Sequence, residues 1–208
     1  MKTIKKVLTI SLIFAVVCLN AQQFGVKAGL NLASISGDHT EELDGRTSLH
    51  VGVVVEFEIS DTFSFQPELI YSSQGAKFSY SDSDYSESYI LKLQYLNIPL
   101  MAKFYVAEGF SLEAGPQIGF LLSAKVAWEE SYDGEVDSGS DDIKEDMSSI
   151  DFSLNFGAGY KLDNGFNFGA RYNLGLSNIW DYDYDDDDDS SFSIKNGVFQ
   201  ISVGYFFQ

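Results

Sequence analysis

Asp181, Asp183 and Asp185 open a run of seven aspartates that ends at Asp189, and Asp187 continues their alternate spacing. Carboxylate oxygens are the ligands that hard divalent cations take, and an acid at every second position is how an EF-hand loop begins. The rest of that loop is missing. Its sixth position holds Asp186 where glycine makes the turn, and its twelfth holds Phe192 where a bidentate glutamate belongs. The expectation is therefore weak Ca2+ or Mg2+ binding through Asp181, Asp183, Asp185 and Asp187, with a solvated acidic surface as the alternative. No cofactor is expected. His39 and His50 have no partner at metal-ligand spacing. No nucleophile–base arrangement and no phosphate-binding loop stand out, so the expectation is a protein that is not an enzyme.

Composition narrows the setting. The chain has 208 residues, 13 Lys+Arg against 31 Asp+Glu, and a net charge of −18. Nucleic-acid binding needs clustered cations and is excluded on this balance. Aromatic residues make up 15 %, which excludes disorder of the whole chain. Residues 1–21 have the layout of a cleaved secretory signal peptide: Lys2, Lys5 and Lys6, then an apolar stretch from Val7 to Leu19, then Ala21 before the cut. Cys18, the one cysteine, would leave with it. Residues 22–208 are expected to form one domain.

That domain alternates with period two, the signature of strands. Phe24, Val26, Ala28, Leu30 and Leu32 share one face of the first strand, and Gly25, Lys27, Gly29 and Asn31 share the other. The pattern recurs from Leu49 to Ile59, Phe63 to Tyr71, Leu96 to Phe104, Phe110 to Leu122, Phe152 to Leu162, Phe166 to Leu176 and Phe199 to Phe207. Short turns such as Asp163-Asn164-Gly165 alternate strictly with long polar connections near 36–47, 81–87, 129–148 and 181–191. This predicts an all-β fold, an eight-stranded antiparallel up-and-down barrel with its termini at the short-turn end. Leu91, Leu93 and Tyr95 are out of phase with Leu96 onward, and a β-bulge near Tyr95 is the expected reason.

The polar face is expected to point inward, which makes the barrel transmembrane. It carries Gly25, Gly29, Gly52, Gly115, Gly119 and Gly157, and it is otherwise rich in Ser, Asn and Gln rather than in Lys and Glu. Small side chains suit the crowded interior of a narrow barrel. Lys27, Glu56, Glu58, Glu68, Lys103, Glu113, Asp151, Lys161 and Arg171 should then pair across that interior, since a lone buried charge is costly. Aromatics at both strand ends, with Tyr71, Trp128, Trp180 and Phe199 at the long-loop end, are expected to form two interfacial girdles. Of the 31 acids, 23 fall in the four long connections.

Three stretches add a resemblance. Gly25-Val26-Lys27-Ala28-Gly29-Leu30-Asn31, Tyr95-Leu96-Asn97-Ile98-Pro99-Leu100-Met101-Ala102-Lys103-Phe104 and Gly115-Pro116-Gln117-Ile118-Gly119 resemble the PorT-type outer-membrane β-barrel family of Bacteroidetes. Asn97 stands where that family commonly has an acid, and the chain ends on Gln208 rather than on an aromatic. The resemblance implies an outer-membrane location with acidic loops outside and termini in the periplasm. It implies as partners the lipid bilayer and the barrel-assembly machinery, with envelope or secretion proteins as further candidates. The expected role is structural or surface-interacting. An accessory part of a secretion or envelope machine and a soluble periplasmic lipocalin-like binder are the alternatives.

The acidic run supplies a first test. Calcium titrated to millimolar concentration should slow protease cleavage within 181–191 and release measurable heat of binding. Unchanged cleavage with no heat would leave only a solvated acidic surface.

Overall fold

A computed structural model describes residues 22–82, 85–133, 135–181 and 192–207. The expected signal peptide, residues 1–21, lies outside them. The described residues form ten strands: β1 (Gln22–Gly37), β2 (Asp44–Ser60), β3 (Phe63–Gln74), β4 (Ala76–Ser81), β5 (Tyr85–Ala107), β6 (Phe110–Tyr132), β7 (Glu135–Asp142), β8 (Ile150–Lys161), β9 (Phe166–Gly175) and β10 (Ile194–Phe206). All pairings are antiparallel. They run from β1 to β2, β3, β5, β6, β8, β9 and β10, and β10 pairs with β1 again. The ring is uneven, because β4 continues the line of β3 and β7 pairs only with β6.

The count therefore differs from the eight strands expected, and each extra strand has a local cause. Gly75, at φ +124°, breaks β3 from β4. That backbone region is open to glycine and strained for other residues. Beyond it, residues 129–142, expected as a loop, are mostly a hairpin of β6 and β7. The connections expected at 36–47 and 81–87 shrink for the same reason: the strands run on past their apolar segments. A tilted strand crosses a bilayer in about 9–11 residues. At 23 residues each, β5 and β6 are far longer than a crossing needs.

Burial settles the direction of the two faces. Leu49, Val51, Val53, Leu112, Phe152, Phe168 and Ile201 are each about half exposed on the outside. Asn31, Glu56, Ser72, Lys103, Asn155 and Asn173 are almost completely buried. A protein surrounded by water has the reverse arrangement, so the lipocalin-like alternative, with its apolar face inside, is corrected. The glycines on the inner face act mainly on the wall. A Cβ on Gly29, Gly52 or Gly115 would collide with the backbone carbonyl of Ile201, Leu69 or Leu100 on the adjacent strand. Only a few, such as Gly119 beneath the Asn97 side chain, make room in the interior as expected.

The β-bulge expected near Tyr95 is present, but it does not set the phase of Leu93 and Tyr95. The register between β5 and β6 does shift at Gln94/Tyr95, but β5 keeps its own phase from Leu93 to Lys103. The additional residue lies on β6, where Tyr95 pairs with Leu121 and Gln94 with Ser123. Leu93 and Tyr95 point inward, into an apolar cluster with Ile35, Ala76, Leu121, Ala124, Met147, Ile179 and Ile194. This cluster fills the loop end of the interior. Two of the expected girdle residues belong near it instead of at the lipid surface: Trp180 packs against the cluster, and Trp128 lies on β6 beyond it.

The inverted burial makes a direct prediction. Val53 is exposed and pairs with Val26 and Leu69, themselves exposed and apolar. Val53→Arg should cost about 2–4 kcal/mol in a lipid-refolding assay, whereas Ser202→Thr inside should cost less than half of that. Equal tolerance at both positions would overturn the direction of the faces.

Candidate functional site

The interior is layered. At the short-turn end, strands β1, β2, β3, β5, β6, β8 and β9 bring together the charges that alternation had placed inside. Arg171 donates from Nη1 to Glu68 Oε2 at 3.0 Å and from Nη2 to Glu68 Oε1 at 2.8 Å. Nη2 also donates to Glu113 Oε2 at 3.0 Å. Lys27 Nζ reaches Glu68 at 3.3 Å, and Lys103 Nζ lies 3.4 Å from Glu56 and 3.7 Å from Glu113. Lys161 donates to Glu56 at 3.1 Å and approaches Glu58 at 3.9 Å. Gln66 joins the two halves, donating to Glu68 at 2.7 Å and accepting from Lys103 at 3.1 Å. Tyr105 donates to Glu56, and its ring, with that of Phe206, lies within 6 Å of both Lys103 and Lys161.

Four cations thus meet four carboxylates. Such pairing compensates the loss of hydration that burial imposes. It also occupies the carboxylates, which leaves this layer as a structural brace rather than an acid–base pair.

Above it lies a neutral layer. Asn31 donates to Ser72 at 3.0 Å and to the Ser73 carbonyl at 2.7 Å, and Gln200 donates to Asn31 Oδ1 at 3.0 Å. His50, expected inside, is there: Nδ1 lies 2.8 Å from Asn31 Oδ1. His39 is elsewhere, stacked on Phe192, so the two histidines share no site. Asp151 corrects the expected ion network. It is buried, but its partners are Asn196 at 3.0 Å and Ser177 at 2.7 Å, with no cation at ion-pair distance among the described residues. The apolar cluster closes the stack. Met147, just after the short helical turn Lys144–Asp146, and Ile179 fold in over the interior from two connections.

Beyond that cluster, β4, β5, β6 and β7 continue as a four-stranded sheet. Phe78, Tyr89, Trp128 and Gly139 lie in register across it, and so do Tyr80, Glu87, Glu130 and Asp137. Aromatic groups hold the acids: Tyr85 donates to Glu87 at 2.8 Å, Tyr89 to Glu130 at 2.8 Å and Trp128 Nε1 to Asp141 at 3.1 Å. The hydrogen bond to Glu87 pushes the Tyr85 phenol up to about 12. Many of the acids expected in loops are therefore on ordered strands. Of the expected cation ligands, Asp181 is described, with its backbone N–H donating to the Asp146 carbonyl at 3.0 Å. Asp183, Asp185 and Asp187 lie outside the described residues, and the described residues hold no group of three or more metal-ligating side chains.

The apolar cluster is the element that sequence reasoning missed. Its one signal was the phase of Leu91, Leu93 and Tyr95. Met147 and Ile179 carry no periodic signal, because they lie in connections.

A family model described as an outer membrane protein beta-barrel domain matches residues 20–181. No curated protein sequence matches the chain. Among solved structures, Ail of Yersinia pestis is 13 % identical at a TM-score of 0.48, covering 89 % of this chain and 98 % of its own. Neisserial surface protein A is 13 % identical at 0.48, covering 88 % and 97 %. CarO2 of Acinetobacter baumannii is 11 % identical at 0.46, covering 89 % and 99 %. These are likenesses of shape at low identity. The family assignment rests on the family model, which spans most of the chain: the protein belongs to the family of outer membrane protein beta-barrel domains.

Proposed function

We propose that the protein is a small, non-catalytic outer-membrane barrel with a closed interior, which presents an acidic sheet and acidic connections at the cell surface for contact with other molecules. Eight of the ten strands are its staves, while β4 and β7 extend the wall. The termini and short turns face the periplasm. The observation that supports this reading is the stack of interior side chains: a brace of paired charges toward one end, an amide layer in the middle and an apolar cluster at the other. That stack favours a scaffold over a pore. The sheet of β4 to β7 offers carboxylates already held in place by Tyr85, Tyr89 and Trp128. Weak divalent-cation binding by the aspartates from Asp181 onward would stiffen the neighbouring connection.

The PorT-type resemblance, and with it a source in the Bacteroidetes, favours a second reading as an accessory part of a secretion or envelope machine. One observation speaks for it. The short-turn mouth opens into a cavity of about 770 Å3 lined by Gln22, Glu58, Tyr105, Lys161 and Phe207, room enough for a segment of a periplasmic partner. Crosslinking in cells followed by pull-down separates the readings. An envelope machine retained through the short-turn end would favour the second, and capture of surface molecules alone would favour the first.

The closed interior makes two further predictions. Purified protein in planar bilayers should give no sustained conductance, and stable, discrete openings would overturn the scaffold reading. Glu68→Gln leaves Arg171 and Lys27 short of their shared carboxylate. It should cost about 3–5 kcal/mol, measured as a lower urea midpoint for unfolding from lipid, and a midpoint unchanged from wild type would show that the brace is not needed.

A further inference from the structure

Beyond the leading segment the chain has ten Lys and Arg residues, and their placement is uneven. Lys27, Lys103, Lys161 and Arg171 are inside. Arg46, Lys77, Lys92, Lys125, Lys144 and Lys195 all lie at the loop end. Acids, not cations, mark the exterior of the short-turn end, at Asp61, Glu108 and Asp163.

Four of the outer cations share one height. Ala76, Leu93, Ala124 and Ile194 point into the apolar cluster. Their chain neighbours Lys77, Lys92, Lys125 and Lys195 therefore point outward at the same level, because successive strand residues face opposite ways. Below them on the same outer face are Tyr71, Leu122 and Phe199, all exposed. Lys125 lies three residues beyond Leu122, and Lys195 four residues from Phe199. At about 3.3 Å per residue along tilted strands, that is just past the hydrocarbon and within the headgroup layer.

Lys77 stands opposite Asp44 on β2, whereas Lys92 has no acid opposite it. Lys92 and Lys125 are direct cross-strand neighbours, and like charges placed so are destabilising unless something lies between them. Asp142 stands opposite Lys125 on β7, but its Oδ1 accepts the Lys144 backbone N–H at 3.0 Å. Among the described residues Lys77, Lys92, Lys125 and Lys195 make no ion pair within 4.0 Å.

We propose that Lys77, Lys92, Lys125 and Lys195 form a belt that binds the phosphate groups of anionic lipids in the leaflet at the loop end. The belt continues the lipid-facing surface directly, and its charge complements an anionic headgroup. A phosphate between Lys92 and Lys125 turns their repulsion into two attractions. The outward direction of the four side chains keeps them clear of Glu87, Glu130 and Asp137 on the inner face of the projecting sheet, while Asp44 and Asp142 share their face without an ion pair to Lys77 or Lys125. The inference rests on membrane embedding and is independent of what the acidic sheet contacts.

The test is native mass spectrometry of the folded protein in detergent, titrated separately with phosphatidylglycerol, phosphatidylcholine and inorganic phosphate. Wild type should retain phosphatidylglycerol in preference to phosphatidylcholine, and added inorganic phosphate should not displace it. K92Q/K125Q should weaken that retention about fivefold for each lysine removed, while K92R/K125R should keep it. Equal retention of both lipids by wild type would overturn the proposal, as would a preference unchanged in K92Q/K125Q. Displacement by inorganic phosphate alone would also overturn it, since the belt would then be a free-anion site rather than a lipid site.

Discussion

Hydrocarbon offers no hydrogen-bond partner to a peptide group, and each unsatisfied N–H or C=O there costs several kcal/mol. A chain that crosses it with strands must pair every strand on both edges. This protein does so by bringing β10 back to β1. The same constraint inverts the faces. Once the outside is lipid, the outward residues are Leu, Val, Ile and Phe, and the polar groups must find partners across a narrow interior. The glycines belong to this arrangement as well. At Gly29, Gly52 and Gly115 the neighbouring backbone comes so close that no side chain fits, and the wall can curve tightly there.

A narrow interior creates its own difficulty, because charges that fit a small cross-section are stripped of water. The chain meets it by balance. Glu68 is shared by Arg171 and Lys27, Glu113 by Arg171 and Lys103, and Glu56 by Lys103 and Lys161. Each of these three carboxylates bridges two cations from different strands, so the brace ties together staves that are not neighbours in the wall. Asp151 is the exception. It sits where the interior becomes neutral, and two neutral donors, Asn196 and Ser177, take the place of a cation.

The membrane-crossing part of the fold was legible because period-two alternation is a strong signal when one face meets lipid. The apolar half of each repeat gave the outer face, and the glycines and mixed charges gave the inner one. The interior ion pairs followed from sign and parity alone. What lay above the bilayer was less legible. There both faces meet water, acids and serines such as Glu129, Ser131 and Ser138 tolerate strand as well as loop, and alternation no longer distinguishes the two. The apolar cluster was hidden for another reason. It draws single residues, Met147 and Ile179, from connections without periodicity, and its strand members Leu93 and Tyr95 looked like a slip in phase rather than a second core. The aspartates past Asp181 alternate as the start of a cation loop does, but they lack the glycine and the glutamate that complete one.

That cluster also has a bearing on the order of assembly. Ile35 comes from the first strand, Ile194 from the last, and Met147 and Ile179 from connections between later ones. Such contacts between distant parts of the chain close large loops and form slowly. The cluster cannot be completed until the two ends of the sheet have met, so it locks a ring that already exists rather than templating it. Because Ile35 and Ile194 flank the seam between β1 and β10, opening that seam at the loop end also pulls the cluster apart. Apolar side chains that never touch the lipid thus add to the barrier that holds the ring shut.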